Sequence, residues 1–206
     1  MPLNSPRQLK MSLSLNRDNF FVSDSNRKAA VLIDIYPAWD TAAVIIVGDK
    51  GSGKTHLANI LRAKDGNIAI FEDIDRNLDE NALFSALNEP GRKILITSRI
   101  EPSALDIGTP DLRSRLSAQI CVKIDVPDDN LIRAIVMKRL NDNRMYIGPK
   151  SLSHIVKYAE RSFAFIGNFT ESVMEIAADQ LEKKRKGLLL VPLKTVKDIL
   201  TTLKQA

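Results

Sequence analysis

One cysteine, Cys121, and two histidines, His56 and His154, are all the chain has of either residue. A lone cysteine excludes an internal disulfide, and three such scattered residues make no Cys/His metal cluster. Long hydrophobic runs are missing as well: the longest, Ala42 to Val47, is far short of the about 20 apolar residues a membrane helix needs. The polar N-terminus has no signal-peptide core. These absences lead us to expect a reducing, cytoplasmic setting and no membrane association.

What is present suffices for a folded protein. A chain of 206 residues with 44% hydrophobic content can hold one ordinary α/β domain and a smaller appendage. The formal charge of +5 raises the question of nucleic acid, since basic surfaces gain affinity for phosphate backbones by counterion release. Its densest cluster, Lys183-Lys184-Arg185-Lys186, ends a predicted helix, where cations also suit the helix dipole and stay solvated. Direct DNA binding is therefore expected to be weak or absent.

The most specific signal is Gly48-Asp49-Lys50-Gly51-Ser52-Gly53-Lys54-Thr55-His56, a complete G-x-x-x-x-G-K-[ST] loop. An apolar run precedes it, and Leu57-Ala58-Asn59-Ile60-Leu61 carries a helical pattern after it. Glycines let consecutive N–H groups point into one concavity, and the loop opens onto a helix N-terminus whose partial charge favours phosphate. Lys54 would reach the β- and γ-phosphates of ATP or ADP, and Thr55 would offer its hydroxyl to Mg²⁺.

Residues 1–17 show little periodicity and read as a tail carrying a short motif. An α/β nucleotide domain is expected over 18–126, with strands at 42–47, 68–71, 93–97 and 119–124, and helices at 54–63 and 79–88. Such alternation indicates a parallel sheet covered on both faces. From Pro127-Asp128-Asp129 onward the pattern turns to helices only, at about 150–161, 167–185 and 193–204, so 127–206 reads as a small helical domain.

A phosphate loop works with an acid at the end of a neighbouring strand, because Mg²⁺ takes oxygen ligands and keeps waters that a carboxylate can hold. Glu72-Asp73 is the pair placed to serve. Successive strand residues point to opposite faces, so Glu72 is assigned to the Mg²⁺ side and Asp73 to orienting water, with the reverse assignment open. Ser98 ends the third strand, where it would face the γ-phosphate or merely make a turn. Arg113 and Arg115 are about 200° apart on a helix, so one can be structural while the other faces a partner as a trans-acting arginine finger.

These segments together resemble the DnaA-related AAA+ proteins. Arg17 to Ala29 looks like the segment that packs near the adenine, Gly48 to Leu57 like their Walker A motif, and Ile94 to Arg99 like their sensor 1 strand. Leu112-Arg113-Ser114-Arg115-Leu116 resembles their arginine-finger box, and Pro127-Asp128-Asp129 with Arg133-Ala134-Ile135 the start of their lid. The resemblance implies a P-loop AAA+ core followed by a helical lid. With the lid reaching the last residues of this sequence, we expect no DnaA-type DNA-binding domain. The resemblance further implies a regulator that stimulates hydrolysis of DnaA-bound ATP through Arg115 while docked on the DNA polymerase III sliding clamp, the β subunit. Gln8, Leu9, Met11 and Leu13 fit the clamp-binding peptide of such proteins, or else an N-terminal strand. A homo-oligomer is also open.

Departures from the family pattern shape the expectation. The short segment between Thr55 and Glu72 leaves no room for a second helix and strand, which predicts a four-stranded sheet of order 5-1-4-3 in family naming. Glu72 leads the acidic pair where Asp is usual, and Gly167 aligns where a sensor 2 arginine is usual, with Arg161 a poor substitute. Nucleotide, most simply ADP with Mg²⁺, would be held with weak or no intrinsic hydrolysis. A DNA-associated AAA+ loader and a small-molecule P-loop kinase remain rival classes.

Overall fold

The computed structural model describes residues 17–183 and 188–205. The tail motif at Gln8, Leu9, Met11 and Leu13, and most of the basic run at 183–186, lie outside them. The core consists of α1 (Arg27–Asp34), β1 (Ala43–Val47), α2 (Lys54–Lys64), β2 (Ala69–Phe71), α3 (Glu80–Asn88), β3 (Ile94–Ser98), α4 (Pro110–Ser117) and β4 (Ile120–Lys123). The lid follows as α5 (Asp129–Asp142), β5 (Met145–Ile147), α6 (Pro149–Tyr158), α7 (Phe163–Lys183), β6 (Leu189–Val191) and α8 (Leu193–Gln205).

The core sheet is parallel, in the order β2-β3-β1-β4, with Val47 level with Ser98 on one side and Lys123 on the other. The two inner strands are buried at every residue, which is why they read as continuous apolar runs. Alternate side chains serve opposite layers. Val44, Ile46 and Leu95 pack with Ala29 and Ile33 of α1 and Leu57 and Leu61 of α2. Ala43, Ile45, Ile94 and Ile96 pack with Leu83 of α3 and Leu112 and Leu116 of α4. Edge strand β4 exposes Cys121 and Lys123, and β2, ending beside Glu72, occupies the other edge. The carboxyl ends of β1, β2 and β3 therefore converge on one rim, where open α/β sheets bind their ligands.

The lid is not purely helical, contrary to the sequence expectation. β5 and β6 form a separate two-stranded parallel sheet, pairing Met145 with Leu189 and Ile147 with Val191. Each strand has three residues, and two helices intervene between them, so neither gave a local pattern long enough to read. Its core gathers Ile132, Val136, Leu140, Phe169, Val196 and Ile199.

Core and lid meet at the start of α5. Asp128 caps this helix, its Oδ1 accepting from the Leu131 N–H at 2.9 Å, while Oδ2 accepts from the Ser25 N–H at 3.3 Å. Burial acts to raise this carboxyl, but the Ser23 hydroxyl and the N–H groups of Leu131, Ser25 and Asn130 outweigh it and hold the group below its ordinary value. Asp128→Ala should cost about 1 kcal/mol of stability, the usual loss for an N-cap. Because the folded carboxyl is depressed, its contribution is present above the unfolded value and is lost as pH falls through the folded one. Urea unfolding of both proteins across acidic pH checks this: the wild-type advantage should shrink below the ordinary carboxylate range, and an unchanged gap would contradict it.

Candidate functional site: a phosphate loop roofed by the lid

The loop between β1 and α2 is wound as the motif demands. Gly51 and Gly53 sit at φ 85° and 99°, in left-handed conformations that side chains disfavour. They are also close to rings: a Cβ on Gly53 would lie 3.0 Å from the Phe20 ring, and one on Gly51 would lie 3.4 Å from Phe163 Cβ. The backbone favours glycine at both positions, and at Gly53 the Phe20 ring also leaves little space for a side chain. The Gly48 N–H is anchored to the Ser98 carbonyl at 3.1 Å, while Asp49 and Lys50 are exposed at the loop tip. Thr55 is exposed in the first turn of α2, and His56 meets Phe20 edge to face with ring centroids 5.3 Å apart.

Lys54 is 6% exposed. Its Nζ donates to the carbonyls of Gly48 at 2.7 Å and Asp49 at 3.2 Å, and the Asp73 carboxylate stands 3.9 Å away. Burial pushes the ammonium below its ordinary value, with Asp73 only partly opposing that shift. Beside it the Ser52 hydroxyl is buried with no hydrogen-bond partner. A dry cation and an unsatisfied hydroxyl in a glycine loop fit the phosphates of a nucleotide, which would supply the missing acceptors.

The acidic pair divides opposite to the primary sequence assignment. Glu72 turns away to Arg62, with Nη2 to Oε1 at 2.7 Å, whereas Asp73 faces Lys54. The cause is local backbone geometry. Asp73 has a left-handed φ of 50°, tolerable for Asp, and its N–H donates to Thr97 Oγ1 at 2.9 Å. Simple strand alternation ends one residue too early to predict this. The Ser98 hydroxyl donates to the Ile100 carbonyl at 2.7 Å and accepts from the Ile100 N–H, the turn that the sequence left as one of two readings. Arg161 pairs with Asp129 at 2.6 Å on an exposed face.

Two basic residues escaped the sequence reading. Arg99 lines a hollow with Gly48 and Asp49, and its Nε is buried without a hydrogen bond, 3.9 Å from Asp75. Arg139 of α5 lines the cavity of about 150 Å³ between loop and lid, together with Phe20, Gly51, Gly53, His56 and Phe163. For Arg99 the sequence signal is its place directly after Ser98, at the end of the stretch that resembles sensor 1. For Arg139 there is none, because it reads as one more polar residue on a helix.

Arg115 is on the other layer of the sheet. Its side chain is 41% exposed, its Nε is 3.4 Å from Asp111, and its guanidinium is stacked 5.3 Å from the Phe84 ring centre. Arg113 is the structural member of the pair, donating to the Ile107 carbonyl.

A parallel sheet thus carries a G-x-x-x-x-G-K-T loop at its carboxyl rim, with a smaller, mainly helical unit over that loop. Solved structures place the fold more narrowly. Domain III of Thermotoga maritima DnaA superposes with a TM-score of 0.73 over 100% of both chains at 18% identity. Aquifex aeolicus DnaA bound to AMPPCP gives 0.63 at 15% identity, over 85% of this chain and 69% of that one. A Thermotoga maritima RuvB variant gives 0.64 at 15% identity, over 93% and 71%. The chain thus has the fold shared by DnaA and RuvB. No protein-family model and no curated protein sequence matches it. Among the described residues no helix is long and apolar enough to cross a membrane, and no cluster of three or more His, Cys, Asp or Glu could hold a metal.

Proposed function

We propose that the chain is a nucleotide-dependent AAA+ switch that acts on DNA-associated replication machinery. The observation that carries this reading is the dry Lys54 beside the partnerless Ser52 hydroxyl, under a lid that touches the same loop through Phe163. Bound nucleotide would bridge loop and lid and so set their angle. Thr55 and Asp73 are the residues to hold Mg²⁺ and its waters, which supply charge neutralisation at the phosphates. With Glu72 held by Arg62 and Ser98 in its turn, retention of ADP is favoured over efficient hydrolysis.

The finer reading is an Hda-like regulator: the tail at Gln8, Leu9, Met11 and Leu13 docks on the sliding clamp, and Arg115 completes the ATPase site of DnaA. The rival, a DNA-associated loader, draws support from the net charge of +5 and the likeness to DnaA and RuvB folds. One set of measurements separates them. Titration with ADP and ATP should show saturable binding; its absence would remove the switch. With clamp loaded on DNA, the protein should accelerate hydrolysis of DnaA-bound ATP, and deleting residues 8–13 should prevent that. Tight, steeply salt-dependent DNA binding with no effect on DnaA would assign the loader role instead.

A further inference from the structure

We infer that Arg139 supplies the lid-side cation for the phosphates of the bound nucleotide, from a helix other than the one that carries Gly167. The inference rests on the nucleotide reading above and adds a residue to it. Four observations converge. The cavity between loop and lid is lined on the core side by the Phe20 segment and by the loop at 51–53, and on the lid side by Lys138, Arg139 and Phe163 among others, with no carboxylate among its lining residues. Lys138 is already paired with Asp142 at 2.9 Å, whereas Arg139 forms no ion pair with any described residue. Its Nη1 donates to the fully buried Thr170 hydroxyl at 3.1 Å, and that hydroxyl in turn lies 2.9 Å from the Gly167 carbonyl. Finally, a Cβ on Gly167 would approach Arg139 Nη1 to 3.4 Å.

The physical case follows from those contacts. A guanidinium has five N–H donors in a planar fork, and Thr170 uses one of them. Burial lowers its ordinary value, and the Glu171 carboxylate only partly opposes the shift, so the charged form is held without a close counter-ion. An anion entering the cavity would supply one, and phosphate oxygens match the fork geometry better than any neutral group. Thr170 fixes the direction of the fork, which lies against Gly167. The lid cation would thus come from α5, the first helix of the lid, which is also the helix that Asp128 ties to the core segment at Ser25. Phosphate contact at Arg139 would reach the core–lid joint through one rigid element.

The test is calorimetric titration of ADP, ATP and adenosine into wild type, Arg139→Gln and Arg139→Lys. We expect Arg139→Gln to bind ADP about tenfold to a hundredfold more weakly, as for loss of a charged hydrogen bond, while adenosine affinity is unchanged. Arg139→Lys, which keeps the charge but not the fork, should fall between them. Should the Gln variant fail to fold, the ADP-to-adenosine affinity ratio of the Lys variant decides: a reduced ratio supports the role. Wild-type ADP binding that is matched by both variants overturns the inference and leaves the nucleotide site standing. Equal weakening of ADP and adenosine assigns Arg139 to packing and also overturns it. Absence of ADP binding in the wild type would remove the nucleotide reading itself, and the inference with it.

Discussion

Lys54→Ala should abolish measurable nucleotide binding, lowering affinity for ADP and ATP about 100-fold or more, the scale expected when one partner of a buried charge pair is removed. The side chain is almost fully buried and turned onto two loop carbonyls, at 2.7 and 3.2 Å, with Asp73 at the edge of ion-pair distance. Phosphate would give the ammonium a full counter-charge in the same place. The free protein should respond in the opposite sense to the complex. A lysine depressed by burial is less favourable charged in the folded state than in the unfolded one, so its stability cost is present at neutral pH and fades as pH rises through the folded value towards the unfolded one. Lys54→Ala should therefore unfold at a temperature no lower than ligand-free wild type, yet show none of the upward shift that saturating ADP gives wild type. At 100 times the dissociation constant that shift corresponds to about 2.7 kcal/mol. Thermal unfolding with and without ADP checks both halves, and a full ligand-induced shift in the variant would refute the assignment of Lys54.

Parts of this site were legible in the sequence for reasons that can be named. The buried β1 run, the glycine loop and the helix after it each have a strong local pattern, and all three fell within a residue or two of their observed bounds. The orientation of Glu72 and Asp73 was not legible, because a single left-handed residue at the strand end reverses what alternation implies. The Ser98 hydroxyl was ambiguous in the sequence, and its local acceptor at Ile100 won. Arg139 was hidden for another reason. A helix pattern tells which residues are apolar, not whether a neighbouring polar residue faces water or a cavity built by a different helix, and only the packing of α5 against α7 at Gly167 decides that.

Arg115→Ala should eliminate stimulated hydrolysis of DnaA-bound ATP, a loss of about 10³-fold or more if this residue acts as a trans-acting finger. Its mounting suits such a role. Leu112 and Leu116 bury one side of α4, and the Glu80 carboxylate accepts from the N–H groups of Gly108 at 2.8 Å and Thr109 at 3.0 Å, fixing the segment that leads into the helix. The helix is thus held firmly while the guanidinium lies on its surface. Its contacts with Asp111 and Phe84 are exposed, and an exposed ion pair is worth only about 0–1 kcal/mol, so Arg115 can leave them for a developing phosphoryl charge at little cost. Arg113→Ala would act differently, since it removes a donor to the Ile107 carbonyl and should lower stability along with activity. Single-turnover hydrolysis on DNA-loaded clamp, run beside clamp capture and thermal unfolding, separates the two. Arg115→Ala should keep clamp capture and its unfolding temperature while losing stimulation, with Arg115→Lys recovering only a small part because it lacks the planar fork. Full stimulation by the Ala variant would mean that the exposed guanidinium is a solvated surface group, and the regulatory reading would lose its catalytic step.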